Sequence, residues 1–303
     1  MPNMRTEYDR LGSRFSWALL PFVGTGCQNG DMQHTVPIYS IAKSYTAAAV
    51  ILTFNPQQHI GDRLVWLPAH LKSLSFEDLL SHRSGLNDYF VWPDYRAAVE
   101  NAAEPWDSKD IIARAEVQNP GVFRYSNIGY LLLRLALEDF HQKPFYNVLD
   151  SLIFSPLGIQ ASPFDCPDDW EQCNHPAITE ELRNYNPGWV YTGTFAATPD
   201  EAARGIALIM RNELGSALPE AMLKTHLVGA PQNHPMSPEA GYGLGLMTRG
   251  LPPVVVGHGG QGPGFNHFTA VSSDGSRWCG ATSVQEGEDQ DLIRRCVAAV
   301  NPR

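Results

Sequence analysis

The segment VPIYSIAKSYTAAAVILTF, residues 36–54, places a lysine at the start of an alanine-rich apolar run. The run predicts a buried helix that begins at Ser40, because alanine has the highest helix propensity. A lysine in such a helix costs free energy unless another group uses its amine. Ser40 and Lys43 are three residues apart and therefore share one face of the helix, so the amine can reach the hydroxyl.

Ser40 and Lys43 have the residue types of a nucleophile and its base. Burial lowers the pKa of a lysine, and the neutral amine can then take the serine proton. The helix N-terminus adds a backbone N–H group where an oxyanion would form. Taken alone, the pair is also explained by a capping serine and a solvated lysine.

The segment RYSNIGY places Tyr125 and Asn127 at a turn that precedes a second apolar helix. A tyrosine there can relay a proton to the leaving group, and an asparagine amide can position a substrate carbonyl. Each residue also has a structural explanation, since a tyrosine is often part of the core and Asn127 is a plausible helix cap.

The segment VVVGHGGQGPGF places His258 at a strand end, followed by Gly259 and Gly260. Glycines in a strand allow another backbone to approach closely, and we expect that backbone to be a substrate. The N–H of Gln261 would complete an oxyanion hole with the N–H of Ser40. A histidine beside glycines can instead serve only to satisfy a backbone carbonyl.

These motifs resemble the serine β-lactamase and penicillin-binding-protein superfamily, and most closely its class C β-lactamase-like group of carboxylesterases and D-amino-acid peptidases. The matching segments are SIAK at 40–43, LLSHRSGL at 79–86, YSN at 125–127, SPLGI at 155–159, GWVYTGTFAATPDEAAR at 188–204, GYGLGL at 241–246 and HGG at 258–260. β-Lactamases usually carry Lys-Thr-Gly in the third motif. A neutral histidine holds a carboxylate less firmly than a cation does, so the resemblance favours an esterase, amidase or D-peptidase.

The resemblance implies a serine hydrolase that acts on a small ester, amide or peptide and needs neither a metal nor an organic cofactor. Ser40 would attack the carbonyl, Lys43 and Tyr125 would move protons, Asn127 would orient the acyl side, and His258 would contact the far end of the substrate. A carboxylesterase is the first expectation. The alternatives are a D-amino-acid peptidase or amidase, a weak β-lactamase, an acyl transferase, and a binding or scaffold protein that has lost turnover.

The fold class predicted from the sequence is α/β, in the broad sense that includes α+β. An antiparallel β-sheet flanked by helices is expected with a mostly helical insertion, as in β-lactamases and transpeptidases. The sheet domain would be discontinuous, formed by 1–45 and 186–303, and the helical domain would span 46–185 with the active site at their interface. FSWALLPFVGTGC, residues 15–27, is interpreted as the first strand, with a signal peptide as the alternative. Because only 39 residues precede the serine, an edge strand is expected to be missing.

Composition excludes several function classes. The net charge of -10 and the absence of a basic cluster argue against a nucleic-acid partner. No run approaches the roughly 20 apolar residues that a membrane helix needs, so no membrane partner is expected. A cytoplasmic protein is the first expectation, with a periplasmic location as the alternative.

Other reactive residues are expected to be structural. The five cysteines are an odd number spread over a long chain, which is not the pattern of a disulfide framework. Cys166 and Cys173 are interpreted as a loop with two thiols, either paired or free, because no CxxC or HExxH spacing is present. His82 ends a helix and is expected to hydrogen-bond a loop. His267 lacks a carboxylate at metal-binding spacing, and Ser84 lacks a GxSxG elbow.

Overall fold

The computed structural model describes residues 34–301 apart from 216, 231, 233 and 285–288. The strand expected in residues 15–27 therefore lies outside the described residues. Within them, a mostly helical region is followed by a six-stranded antiparallel sheet with helices packed on it, so the predicted fold class is confirmed. The described helices are α1 Ala42–Thr53, α2 Phe76–Leu80, α3 Pro93–Glu100, α4 Ser108–Ala113, α5 Asn127–His141, α6 Phe145–Leu149, α7 Ser155–Leu157, α8 Glu180–Arg183, α9 Pro199–Met210, α10 Leu218–Met222 and α11 Gln290–Val300.

The strands form two antiparallel sheets. In the six-stranded sheet the spatial order follows the chain from β4 to β9, and in the three-stranded sheet the order is β1-β3-β2. The strands are β1 Val36–Pro37, β2 Ser162–Pro163, β3 Phe195–Ala197, β4 His226–Leu227, β5 Ala240–Tyr242, β6 Met247–Arg249, β7 Val255–Gly262, β8 Phe265–Ser272 and β9 Trp278–Ser283.

Strand β8 is buried along its whole length because helices cover both faces of the sheet. Phe268 and Ala270 pack in one apolar cluster with Cys296 of α11. Val271 points to the opposite face, as the two-residue period of a strand requires, and belongs to the main core. The two helices that flank this part of the sheet, α9 and α11, both contact β8 and β9.

Local sequence signals account for most helix starts. Thr198 caps α9 through a bond from the N–H of Glu201 at 3.1 Å, and Pro199 is the first helical residue, where its fixed φ suits the helix. The predicted cap at Asn127 was wrong by one position. The cap of α5 is Ser126, whose Oγ accepts the N–H of Gly129 at 3.3 Å, because the serine has the extended backbone that a cap requires.

Helix α1 forms the centre of the main core. Its residues from Ala42 to Val50 are all buried, and it packs against α5. The helix starts at Ala42 rather than at Ser40, because a 3-10 turn over Tyr39–Ile41 precedes it. Its small side chains let neighbouring elements approach on every side, which explains the alanine content of this stretch.

Strand β7 lies directly against the turn that carries Ser40. A Cβ atom at Gly260 would be 2.3 Å from the carbonyl oxygen of Ile38, and one at Gly262 would be 2.4 Å from the ring of Tyr39. Only glycine permits these approaches at the observed spacing. The backbone that approaches Gly260 is therefore the protein's own.

Two adjacent glycines of β7 offer a matched test of this close packing. We expect Gly260→Ala to lower the free energy of unfolding by about 1–3 kcal/mol, because the new methyl group collides with backbone that cannot rotate away. Gly259→Ala is the control, since its Cβ would meet its nearest atom, on the ring of Phe268, at 3.7 Å. Urea unfolding of the two variants measures the difference, and equal stabilities would contradict the packing described here.

The cysteine loop and the lengths of the helices complete the description of the fold. Cys166 is exposed and Cys173 is buried, and both are free thiols rather than a pair. Among the described residues, no helix has both the length and the apolar character needed to cross a membrane.

Candidate active site

Ser40 lies on a turn that its neighbours hold in place. The N–H of Ile38 donates to the carbonyl of Phe195 in β3 at 3.0 Å, and the hydroxyl of Thr194 donates to the carbonyl of Tyr39 at 3.3 Å. Tyr39 has a φ of 48°, a conformation that non-glycine residues seldom adopt. Its hydroxyl donates to the carbonyl of Pro263 at 2.6 Å. These bonds maintain the strained turn, and Ser40 itself stays partly exposed.

The amine of Lys43 lies against the serine hydroxyl. Its Nζ is 2.9 Å from Ser40 Oγ, and the lysine side chain is only 1% exposed. Burial lowers the pKa of Lys43 to about 7, although the nearby Asp88 carboxylate opposes that shift. A lysine with this pKa is partly neutral at pH 7 and can accept a proton from the hydroxyl. The structure thus brings the predicted nucleophile and base together.

Aromatic rings form the apolar surroundings of the amine. Lys43 Nζ lies 5.2 Å from the centre of the Tyr125 ring and 5.5 Å from that of Tyr130. Tyr130 donates its hydroxyl to the carbonyl of Leu80 at 2.8 Å, so that ring is fixed. The rings exclude water from the lysine and also offer π-electron density to its charged form.

Asn127 is the first residue of α5, and a buried carboxylate holds its amide. Its Nδ2 donates to both Asp88 oxygens, at 3.0 and 3.2 Å, and its backbone N–H donates to Asp88 Oδ2 at 3.2 Å. The N–H of Phe90 donates to Asp88 Oδ1 at 3.0 Å. Burial raises the pKa of Asp88 above its ordinary value, while these bonds oppose the rise.

Sequence reasoning missed Asp88. It sits in the segment GLNDYF, and nothing in that segment marks the carboxylate as a partner of Asn127, which is 39 residues away. The only signal is an acidic residue beside aromatic ones. Its distance from Asn127 along the chain means that only the folded chain reveals the pair.

His258 is completely buried, and both of its ring nitrogens have partners within the protein. Nδ1 lies 2.6 Å from the carbonyl oxygen of Gly259, so it carries the proton, and Nε2 accepts the hydroxyl of Tyr242 at 2.9 Å. Burial lowers the pKa of His258 to about 3, and Lys43 adds to this effect. The ring is neutral, and direct contact with a substrate would require Tyr242 to move.

One face of strand β7 lies against the turn that carries Ser40. Strand β6 pairs with β7 only as far as Gly257, whereas β8 continues to pair with it as far as Gly262. Gly260 faces the Ser40 turn, and Gly259 faces Phe268 on the opposite side of the sheet. Gln261 is exposed. This arrangement keeps the backbone of Gln261 near the serine turn, as an oxyanion hole would require.

One group of described residues could present ligands to a metal ion. The ligand atoms of Asp165, Cys166 and Asp169 lie within 4.8 Å of one another. Asp169 Oδ2, however, accepts the N–H groups of Asp165 and Cys166 at 2.7 and 3.0 Å, so it serves as a cap for this loop. These bonds stay within the loop 165–169 and do not involve Ser40.

The family model named Beta-lactamase matches residues 30–290 of the chain. This match covers most of the sequence and confirms the resemblance seen in the motifs. One curated relative is Penicillin-binding protein 4* of Bacillus subtilis (strain 168), 26% identical over 171 residues, which are 50% of this chain and 34% of that protein. The chain therefore spans about a third of the length of this curated relative.

Solved structures of other proteins share the fold. A D-stereospecific amidohydrolase from Streptomyces sp. has a TM-score of 0.72 at 19% identity, with 90% of this chain and 91% of that chain covered. A D-amino acid amidase from Ochrobactrum anthropi SV3 has a TM-score of 0.68 at 17% identity, with 98% and 97% covered. A penicillin binding protein from Bacillus halodurans has a TM-score of 0.67 at 16% identity, with 92% and 94% covered.

Replacement of Lys43 by methionine tests the energetic cost of the buried amine. The pKa of Lys43 is about 7 in the folded chain and 10.5 ordinarily, and each pKa unit corresponds to about 1.4 kcal/mol, so the cost is at most about 5 kcal/mol. The cost is complete below pH 7 and disappears as the pH rises towards 10.5. We expect Lys43→Met to stabilise the protein most at pH 6 and progressively less towards pH 10.

The measurement is urea unfolding at several pH values, with Lys143→Met as the control because Lys143 is exposed. A Lys43→Met variant that is less stable than the parent at pH 6 would contradict the cost assigned to the amine.

Proposed function

Because this chain belongs to the Beta-lactamase family, we propose that it is a serine hydrolase that forms an acyl-enzyme on Ser40. The observation that carries the proposal is the 2.9 Å separation of Lys43 Nζ and Ser40 Oγ, combined with burial that lowers the pKa of the amine to about 7. A scaffold would gain nothing from a buried lysine beside a partly exposed serine. The site would lie between the helical region 46–185 and the sheet region.

Acylation begins with the neutral amine of Lys43. It takes the proton of the Ser40 hydroxyl as Oγ attacks the substrate carbonyl, and the serine–carbonyl bond forms while the carbonyl oxygen becomes an anion. The N–H groups of Ser40 and Gln261 stabilise that oxyanion. The packing of β7 against the turn at 38–40 supports this role for Gln261, because the glycines on either side of it contact that turn.

Departure of the leaving group needs a proton. Tyr125 lies over the Lys43 amine and relays the proton from the lysine to the leaving oxygen or nitrogen. Water then attacks the acyl-enzyme with the same groups in reversed roles. Asn127, oriented by Asp88, would position the acyl side of the substrate during both steps.

The preferred substrate class is a small amide that carries no anionic group on the part that would approach His258. β-Lactamases usually place a lysine there, whereas this histidine is buried and neutral. Two of the proteins that share the fold are named for action on D-amino-acid or D-stereospecific amide substrates. We therefore infer a D-amino-acid amidase or peptidase, with carboxylesterase activity on activated esters as the second candidate and β-lactamase activity as the weakest.

Loss of the Ser40 hydroxyl tests the nucleophile. We expect the wild type to hydrolyse D-phenylalanine amide and short p-nitrophenyl esters, and Ser40→Ala to lose more than about a thousandfold in kcat. A fluorophosphonate should label the wild type at Ser40 and fail to label the variant. The control is Ser44→Ala, which alters a buried serine that donates to the carbonyl of Gly245 at 2.7 Å.

Comparison of substrates tests the amide assignment. Turnover of D-phenylalanine amide should exceed both that of the L-enantiomer and that of benzylpenicillin. Faster turnover of benzylpenicillin would overturn the assignment. Equal activity of the wild type and Ser40→Ala on every substrate would refute the acyl-enzyme itself.

The pH dependence of kcat/KM tests the role of Lys43. Because only the neutral amine can accept the serine proton, we expect kcat/KM to rise about tenfold per pH unit below pH 7 and to level off above it. The Asp88 carboxylate favours the charged lysine, so Asp88→Asn should move the midpoint of this rise to lower pH. A midpoint that does not move in Asp88→Asn would assign the rise to another group.

A further inference from the structure

His82 holds the backbone on both sides of Tyr125. Its carbonyl oxygen accepts the N–H of Arg124 at 2.7 Å, and its ring Nδ1 accepts the N–H of Ser126 at 3.1 Å. The residues before and after Tyr125 are therefore both bonded to one residue, which is more than forty positions earlier in the chain. The loop contact expected for His82 is present, and it reaches the segment of the proposed proton relay.

The ring of His82 also sets the plane of the tyrosine. The two ring centres are 4.2 Å apart with an angle of 32° between the planes, and Tyr130 and Tyr242 contact the same imidazole at 5.0 and 4.8 Å. His82 is 1% exposed, so these contacts leave its ring little freedom. A tilted ring-on-ring contact of this kind restricts the rotation of Tyr125.

The protonation state of His82 excludes a role as the base. Because Nδ1 accepts an N–H, the proton of the neutral ring is on Nε2, a buried atom with no hydrogen-bond partner in the described part of the chain. Burial, Lys43 and His258 all lower the pKa of His82, which keeps the ring neutral. A buried N–H without an acceptor costs free energy, and such a cost at a site points to a positional role for the ring.

The backbone of His82 has a left-handed conformation. Its φ is 56°, a value that few non-glycine residues adopt. This conformation turns the chain just after α2 so that the carbonyl and the ring both face the segment 124–126. The strain is maintained by the two bonds that it makes possible.

We propose that His82 is the positioning residue of Tyr125, fixing the backbone on either side of the tyrosine and the plane of its ring beside Lys43. The inference rests on the proposed acyl-enzyme function. It assigns His82 no contact with the substrate. Its effect on catalysis is expected to pass mainly through Tyr125, because both backbone bonds flank that residue and its ring is the nearest aromatic neighbour of the imidazole.

The test compares two substitutions at His82. Phenylalanine keeps an aromatic ring but has no acceptor for the N–H of Ser126, whereas asparagine carries Oδ1 near the place of Nδ1 and tolerates a positive φ. The quantity measured is kcat per active site, with active sites counted by fluorophosphonate titration, so that unfolded protein does not contribute. We expect His82→Phe to lower this kcat by about tenfold or more with a smaller change in KM, and His82→Asn to recover most of the loss.

A double-mutant cycle asks whether His82 acts through Tyr125. In the Tyr125→Phe background, His82→Phe should cause no further loss in kcat per active site, because the hydroxyl that it positions is already gone. A merely structural histidine would lower the number of titrated sites while leaving kcat per site unchanged. Unchanged kcat per site, or losses that add in the double variant, would overturn the proposal.

A third variant covers the case in which His82→Phe does not fold. His82→Ala removes the acceptor without adding bulk, and it should lose kcat per site while His82→Asn retains it. Equal losses in these two variants would overturn the role of the acceptor. If the wild type neither turns over a substrate nor reacts with the fluorophosphonate, both the proposed function and this inference fail. If the wild type is active and the His82 variants have the same kcat per site, only this inference is overturned.

Discussion

The burial of the Lys43 amine beside Ser40 is the interaction on which the rest of the site depends. Burial lowers the pKa of the amine enough to make it a base near pH 7, and it costs free energy that the folded chain has to recover elsewhere. The surrounding structure is arranged to keep that cost tolerable. Aromatic rings enclose the amine, and Asp88 supplies a partly compensating negative charge.

Close backbone packing is the second requirement, because the turn that carries the nucleophile has to be held against a sheet. Gly260 and Gly262 let β7 lie against the turn at 38–40, and the strained φ of Tyr39 is retained by bonds to Thr194 and Pro263. The sequence suggests that Gly260 allows a substrate to approach, but in the structure Gly260 allows the protein's own backbone to approach.

Much of the fold follows from local signals. The helix after Ser40, the cap at Thr198 and the antiparallel strands near the end of the chain all have propensity or turn patterns that act over a few residues. The predicted cap of α5 was one residue too late, because Ser126 and Asn127 are adjacent and both residue types suit a cap. Only the extended backbone of Ser126 identifies it as the cap. Asp88 and Tyr242 escaped notice because each acts on a residue distant in sequence.

The sequence by itself determined the chemical pair, because Ser40 and Lys43 are three residues apart and the local geometry of a 3-10 turn continuing into a helix brings them together. It also determined the resemblance that the Beta-lactamase model matches. Only the tertiary structure decided that the amine is buried, that His258 is neutral, that Asp88 holds Asn127 and that His82 brackets Tyr125. Those properties depend on solvent exclusion and on contacts between distant segments, which no local pattern of residues encodes.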